Sequence, residues 1–276
     1  MLKKLFVHEW KDCWKLVSLM NLIVVLLTLI GVVPLSQQDF LKSSNIIVTV
    51  GIVLYVTIYI IALIALSFFV SLFFFIRFYK NMYTDEGYLM HTLPVTKAQL
   101  VWSKALVAII WHLITVFILS LSVLSLVYAG IVGSGETIDF AQISSELGLG
   151  YISTWSYVAI IAVYVFSVVI GSFMSVFMGY LSVSIGQLFQ KQKVIAAIGV
   201  YFGFNFLIQM ISNIISAILN YSMGNGTLYG QNFNSAEDFF GYTFMIMGIM
   251  DLAILLLAGA FYFFTIYIMK NKLNLD

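Results

Sequence analysis

Six long apolar stretches, separated by shorter polar segments, organise the chain. They cover residues 16–33, 46–76, 105–132, 152–189, 194–219 and 245–269. A hydrocarbon core about 30 Å thick is crossed by about 20 apolar residues in a helix that rises about 1.5 Å per residue. Each stretch is continuously apolar rather than alternating, which favours helices over the strands of a β-barrel. The pattern therefore predicts six transmembrane helices.

The composition agrees with a bilayer as the solvent. Of 276 residues, 9% are charged and 62% are hydrophobic, whereas a soluble domain carries roughly 25% charged residues. The net charge of +1 leaves no basic excess for a nucleic acid. The one cysteine, Cys13, allows neither an internal disulfide nor a cysteine metal cluster. We expect an all-α polytopic membrane protein with one transmembrane domain over residues 1–276, no metal site and no nucleic-acid partner.

The basic residues indicate the orientation. All of the 13 Lys and Arg residues except Lys42 lie in the first segment, in the second and fourth connections, or in the tail. Cytoplasmic segments of membrane proteins carry the excess of Lys and Arg. The distribution predicts that both termini are cytoplasmic and that residues 77–104 form a cytoplasmic connection.

Residues 1–15 have the pattern of an amphipathic helix. Helical spacing places its large apolar residues on one face, namely Phe6, Trp10, Cys13, Trp14 and Val17. Tryptophans with lysines opposite them are typical of a helix at the membrane interface. Such a helix either anchors the chain on the membrane or contacts a cytoplasmic partner through Phe6, Trp10 and Trp14.

The connection at 77–104 is polar enough for water but unusually rich in large apolar side chains. A solvated loop would not keep so many, so we expect the segment to pack against the membrane surface or another protein. Leu93-Pro94 should end a short helix, because the residue before a proline avoids the α conformation. Thr96 is predicted to cap the helix that enters the third span.

This connection, with TDEGYLMHTLPV at its centre, resembles the membrane subunit of an ABC-2 type transporter. The order of entry helix, six spans and cytoplasmic ends is similar too, so the resemblance covers the whole chain. It implies that the connection forms a coupling helix, which fits a groove on a separate ATP-binding subunit. The residues to which it gives this role are Tyr83, Thr84, Asp85, Glu86, Gly87, Tyr88, Leu89, His91, Thr92, Leu93 and Pro94.

The resemblance also implies an assembly of two membrane subunits, identical or related, with two copies of the ATP-binding subunit in a bacterial cytoplasmic membrane. ATP and Mg would be bound by that partner. The chain itself has no Gly-x-x-x-x-Gly-Lys-Ser/Thr segment to cradle phosphates. We therefore expect no cofactor in this chain and no enzymatic activity of its own.

A polar stripe runs along the fifth span and consists of Asn205, Gln209, Asn213 and Ser216. Steps of three and four residues put these side chains on one helix face. Amides are costly in hydrocarbon unless bonded, so the stripe either bonds to other helices or faces a water-filled path. The resemblance favours a path, because spans two and five line the route in this family. Tyr55 and Tyr59 of the second span are then the facing aromatic surface.

Other features of the spans point to packing. Ser167, Gly171, Ser175 and Gly179 recur every four residues, which allows another helix to approach closely. Asp251 is the one clear acid within a span, and a hydrated or hydrogen-bonded role is expected for it. No proline interrupts a span, since Pro34 and Pro94 both lie between the apolar stretches. The resemblance implies an outer gate in the connection 220–244.

The resemblance implies ATP-driven export, and the apolar, aromatic lining of the spans suits an amphipathic or hydrophobic cargo. Among members of that family the short chain resembles exporters of peptide toxins or antimicrobial peptides, and a lipid or drug is the alternative. An ion-driven secondary transporter is a second class, with Asp251 as its one candidate residue. A non-transporting immunity or sensing complex built from the same parts is a third. An intramembrane enzyme is disfavoured, since we identify no metalloprotease motif, no paired intramembrane aspartates and no credible catalytic Ser/His pair.

Overall fold

The computed structural model describes residues 2–41, 45–84, 86–87, 90, 92, 94–135, 154–223 and 236–272. Within these residues the chain is helical and contains no strand. The helices are α1 (Leu2–Leu35), α2 (Gln38–Leu41), α3 (Ile46–Tyr83), α4 (Lys97–Ser134), α5 (Thr154–Gly186), α6 (Lys193–Met223) and α7 (Ala236–Asn271). All but the short α2 are long and apolar enough to cross a membrane. The prediction of an all-helical chain with six helices that could cross a membrane is confirmed for the described residues.

The helices extend beyond the apolar stretches. The predicted entry helix and first span form one continuous helix of 34 residues, α1. Pro34, which we expected between spans, lies near the C-terminal end of this helix, where little helix remains to be disrupted. Helices α3 and α4 have 38 residues each and are therefore about 57 Å long. Their polar ends reach beyond a hydrocarbon core of about 30 Å.

The chain divides into two compact units. The first unit comprises residues Met1–Arg77 and Pro94–Ile138, and so contains α1, α2, most of α3, and α4. Glu9 bonds to Lys104 and Asn21 bonds to Thr115, which are pairs 95 and 94 positions apart. This nearly constant offset shows that α1 and α4 run parallel.

Helix α3 runs antiparallel to α4 within this unit. Tyr59, early in α3, donates a hydrogen bond to Ser122, and Ser71, further along, pairs with His112. As the residue number rises on α3, the number of its partner on α4 falls. The start of α1, Arg77 of α3 and the start of α4 therefore lie at the same end of the unit.

The second unit comprises residues Phe78–Leu93 and Asp139–Asp276. Helices α5 and α7 run parallel in it, since Ser167 donates to Asp251 and the ring of Phe177 packs edge-on against Tyr262. Helix α6 returns antiparallel to α5 after a short turn, in which Gln192 has a positive φ of 58°.

Local sequence signals define the two ends of α4. At its start, the Thr96 hydroxyl accepts from the Gln99 backbone N–H at 3.3 Å, and the Gln99 side chain accepts from the Thr96 N–H at 3.1 Å. The predicted Thr96 cap is confirmed, as part of a reciprocal capping box. At the other end Gly135 adopts a left-handed conformation with φ 75°, which ends the helix.

Candidate functional site

The end of α3 is firmly anchored within the second unit. The ring of Phe78 stacks on Tyr180 with a centroid distance of 3.8 Å and an interplanar angle of 7°. The Tyr83 hydroxyl donates to the Ser184 hydroxyl at 2.7 Å, and Met82 is fully buried. The helical part of the connection 77–104 therefore ends at a fixed position. Its non-helical part, residues 84–96, starts there and is called the connection 84–96.

The first residues of the connection fold back on this helix end. The Thr84 hydroxyl donates to the Lys80 carbonyl oxygen at 2.5 Å, and the Gly87 N–H donates to the Thr84 carbonyl oxygen at 2.7 Å. A Cβ on buried Gly87 would lie 2.6 Å from the Met82 carbonyl oxygen. Only glycine fits here without displacing the backbone.

The remaining residues predicted for partner contact divide into two groups. Glu86, Thr92 and Pro94 are exposed to solvent. The others, Asp85, Tyr88, Leu89, His91 and Leu93, lie outside the described residues. The exposed group shows which part of the connection another protein can reach.

Near the two helix ends that flank the connection, four charged side chains form a cluster that the sequence did not suggest. Buried Glu9 accepts from Lys104 on α4 through Oε1, and from Arg77 on α3 through Oε2 at 2.9 Å. Arg77 also donates to Asp12 at 2.8 Å. Two acids and two bases thus balance their charges at the end of the first unit where three helices meet. We call Glu9, Asp12, Arg77 and Lys104 the charge cluster.

The residues predicted as contacts of the entry helix face different surroundings. Trp10 packs inside the first unit, stacked on Trp111 with centroids 5.0 Å apart, and Phe6 stacks on Trp10 at 6.0 Å. Trp14 is 46% exposed. The face that α1 buries within the unit runs through Glu9, Cys13 and Val17 and leaves Trp14 exposed, so a contact of Trp14 with the membrane or a partner stays a prediction.

Tyr55 and Tyr59, predicted to face the route, have partners inside the first unit. The Tyr55 hydroxyl donates to the Leu27 carbonyl oxygen at 2.7 Å, and its ring packs against Gly31. Buried Tyr59 donates to Ser122 at 2.9 Å. These contacts account for both residues as packing elements, and their role in a route stays a prediction.

A serine and a histidine on different helices come together in this unit. Ser71 Oγ lies 3.1 Å from His112 Nε2, and both side chains are buried. The Ser71 hydroxyl is also within 2.9 Å of the Ser67 carbonyl oxygen. A hydroxyl donated to its own helix is not poised for attack, so we interpret the pair as an interhelical contact.

The polar stripe of α6 faces outward. Asn205, Gln209 and Asn213 are exposed, and Ser216 is half-buried. Asn205 donates to the Tyr201 carbonyl oxygen at 2.9 Å, and Gln209 donates to Asn213 at 3.0 Å. These hydrogen bonds stay within α6, so they leave the outer side of the stripe open to another surface.

Asp251 accepts a hydrogen bond from α5 in the second unit. It is 6% exposed, and the Ser167 hydroxyl donates to it at 2.6 Å. The expected hydrogen-bonded role of Asp251 is confirmed, and Ser167 of the small-residue series lies where α5 packs on α7. In the described part of the chain, no three His, Cys, Asp or Glu side chains are grouped to hold a metal ion.

The chain matches no family model, and comparisons with curated proteins and with solved structures find no significant match.

Proposed function

We propose that this multi-pass membrane protein is the membrane subunit of an ATP-driven exporter, and that a separate ATP-binding subunit docks on the connection 84–96. One observation carries the proposal. The connection starts from a helix end fixed by Phe78 and Tyr83, yet it presents Glu86, Thr92 and Pro94 to solvent. Because side-chain contacts hold this helix end in place, we expect a displacement of Thr84 and Gly87, which bond to it or to each other, to act directly on α3.

The arrangement of the first unit supports a cytoplasmic connection. Helices α1 and α4 are parallel and α3 is antiparallel, so residues 2–15 lie at the same end of the unit as Arg77 and the start of α4, which belong to the basic connection 77–104. These are two of the basic segments of the chain. Because basic segments stay in the cytoplasm, the proposal places both termini and the connection there, in a bacterial cytoplasmic membrane.

The exposed stripe of α6 supports a second membrane subunit. Amide groups that face hydrocarbon are costly, so Asn205, Gln209 and Asn213 need a polar surface opposite them. In the proposal a second copy or a related chain supplies it, and an amphipathic peptide or lipid moves along the stripe. ATP and Mg are bound by the partner, and this chain is not itself an enzyme.

Affinity purification from native membranes tests the docking proposal. We expect a soluble subunit with a phosphate-binding loop to co-purify with the chain and to hydrolyse ATP. The double variant Glu86→Arg/Thr92→Arg should lose that subunit, because both side chains are exposed on the docking segment. Gln190→Arg, which adds a charge at an exposed position of another connection, is the control and should keep it.

Two results would contradict the proposal. A chain purified alone from intact membranes, without ATPase activity, would favour an ion-driven transporter with Asp251 as its candidate residue. A double variant that retains the subunit in normal amount would move the docking site away from the connection.

A further inference from the structure

The charge cluster joins the start of α1 to the two helices that flank the connection. Arg77 lies about two turns before the end of α3, and Lys104 lies about two turns after the start of α4. Glu9 contacts both of them with its two carboxylate oxygens. One side chain of α1 is thus bonded to both flanking helices.

The contacts of α1 with α4 differ from those with α3 at this end of the unit. Helices α1 and α4 share the Glu9–Lys104 ion pair, the Trp10–Trp111 stack and the Asn21–Thr115 hydrogen bond at 3.2 Å. In α3, Arg77 makes ion pairs with the start of α1, through Glu9 and Asp12. Helices α1 and α4 therefore form a pair with several bonds, to which the end of α3 is joined through the Arg77 guanidinium group.

Arginine suits this position because its planar guanidinium can hold two carboxylates at fixed angles. Its Nε binds Glu9 and its Nη2 binds Asp12, about one turn further along α1. The Arg77 side chain is 22% exposed, whereas Lys104 and Glu9 are 5% and 6% exposed. Arg77 can therefore lose its contacts without breaking the Glu9–Lys104 pair.

We propose that Arg77 is a positioning residue, which passes a displacement of the connection from the end of α3 to α1 and, through Glu9 and Lys104, to α4. This inference rests on the proposed function, because it assumes that a partner moves the connection. In this view residues 2–15 are part of the force-transmitting structure and not only a membrane anchor.

The test follows the response of the α6 stripe to nucleotide. Ser216→Cys, a near-isosteric change within the stripe, is introduced in a Cys13→Ala chain and labelled with a membrane-impermeant maleimide, in the complex with its ATP-binding subunit. We expect the labelling rate to differ about fivefold or more between the nucleotide-free and the vanadate-trapped states. Arg77→Gln should abolish this difference while the complex still assembles and hydrolyses ATP. Lys11→Met, which removes an exposed charge from the same segment, should preserve it.

The conservative variant separates positioning from a purely structural role. Arg77→Lys keeps a charge near Glu9 but does not hold Glu9 and Asp12 together, so its nucleotide response should fall between those of the parent chain and Arg77→Gln. Thermal unfolding in detergent serves as the measure of fold. A full nucleotide response in Arg77→Gln would overturn the inference.

A second measurement applies if the parent complex shows no nucleotide response, which would refute the proposed function instead. Spin labels at the exposed positions Lys4 on α1 and Ile76 on α3 then report the contact directly in the isolated chain. We expect a narrow distance distribution, which Arg77→Gln broadens and Lys11→Met does not. An unchanged distribution in Arg77→Gln would show that Arg77 does not position α3 against α1.

Discussion

Different kinds of contact hold the helices together within each of the two units. In the first unit, polar side chains join the helices at several levels, from the charge cluster through Asn21–Thr115 to Tyr59–Ser122. In the second unit aromatic rings are prominent, as in the Phe204–Phe261 contact with centroids 5.0 Å apart. A helix such as α6 can then lie largely exposed, with its polar stripe outside.

The difference shows which interactions determine helix pairing in a bilayer. Lipid tails are as apolar as leucine, so apolar burial does little to select one helix neighbour over another. Hydrogen bonds and ion pairs select a partner and a register, and the first unit uses them at several levels. The amide side chains of the α6 stripe form hydrogen bonds within α6. The outer face of this helix therefore remains available for a second chain.

The largest loss of stability is expected when the buried Glu9–Lys104 ion pair of the charge cluster is broken. Lys104→Met removes one of the two cations that balance buried Glu9, and should destabilise the chain by about 3 kcal/mol. Glu9→Gln in the same chain should restore much of that loss, because it removes the buried negative charge. Unfolding in detergent, followed by helical circular dichroism, measures both.

Lys4→Met, at an exposed lysine of α1, is the matched control and should change stability little. A double variant no more stable than Lys104→Met would show that the charge is not the source of the loss.

The second prediction concerns the contact between the Tyr55 ring on α3 and Gly31 on α1. A Cβ on Gly31 would overlap the ring of Tyr55, so Gly31→Ala should cost about 1–3 kcal/mol and break the Tyr55–Leu27 hydrogen bond. Gly51→Ala on α3 is the control, because nothing lies within 4 Å of its added Cβ. Tyr55→Leu should relieve the cost of Gly31→Ala in the same unfolding measurement. Equal losses of unfolding free energy in Gly31→Ala and Gly51→Ala would contradict the contact between Gly31 and the Tyr55 ring.

The third prediction applies to the second unit. Ser167→Ala removes the hydroxyl that donates to buried Asp251 and should destabilise the chain by about 1–2 kcal/mol. Ser172→Ala on the same helix removes a bond to the Val168 carbonyl oxygen and should cost less. Asp251→Leu should relieve the cost of Ser167→Ala, since the buried acceptor is then gone. A difference between the two serine variants that persists in the Asp251→Leu chain would show that Asp251 is not its cause.

Much of the fold could be predicted from the sequence, for reasons that are local. A span is defined by a run of apolar residues, so all six were found, and the Thr96 cap follows from residues three positions apart. The ends of the helices were not predicted. Residues 2–15 and the first apolar stretch form one continuous helix, because no helix-breaking residue separates them. Pro34 was misplaced for a related reason, since a proline near a helix end need not break the helix.

The charge cluster could not be predicted, because it depends on the register of three helices. Glu9 meets Arg77 and Lys104 across separations of 68 and 95 residues. Within residues 2–15, Glu9 is one charged residue in a segment that also contains four lysines and an aspartate. A signal was present in hindsight, since Glu9 precedes Cys13, Val17 and Asn21 at four-residue steps, the series that α1 buries.

The smallest effect on stability, and the sharpest contrast with the first unit, is expected at the α6 stripe. Asn205→Leu and Asn213→Leu change exposed residues with hydrogen bonds inside α6, so each should alter the unfolding free energy by about 0.5 kcal/mol or less. Both should nevertheless weaken association of two membrane subunits in lipid, measured by energy transfer between labelled chains. Leu207→Ala, at an exposed apolar residue of the same helix, should leave association unchanged. A large loss of stability without loss of association would mean that the stripe serves the single chain, and the two units would then differ less than their contacts indicate.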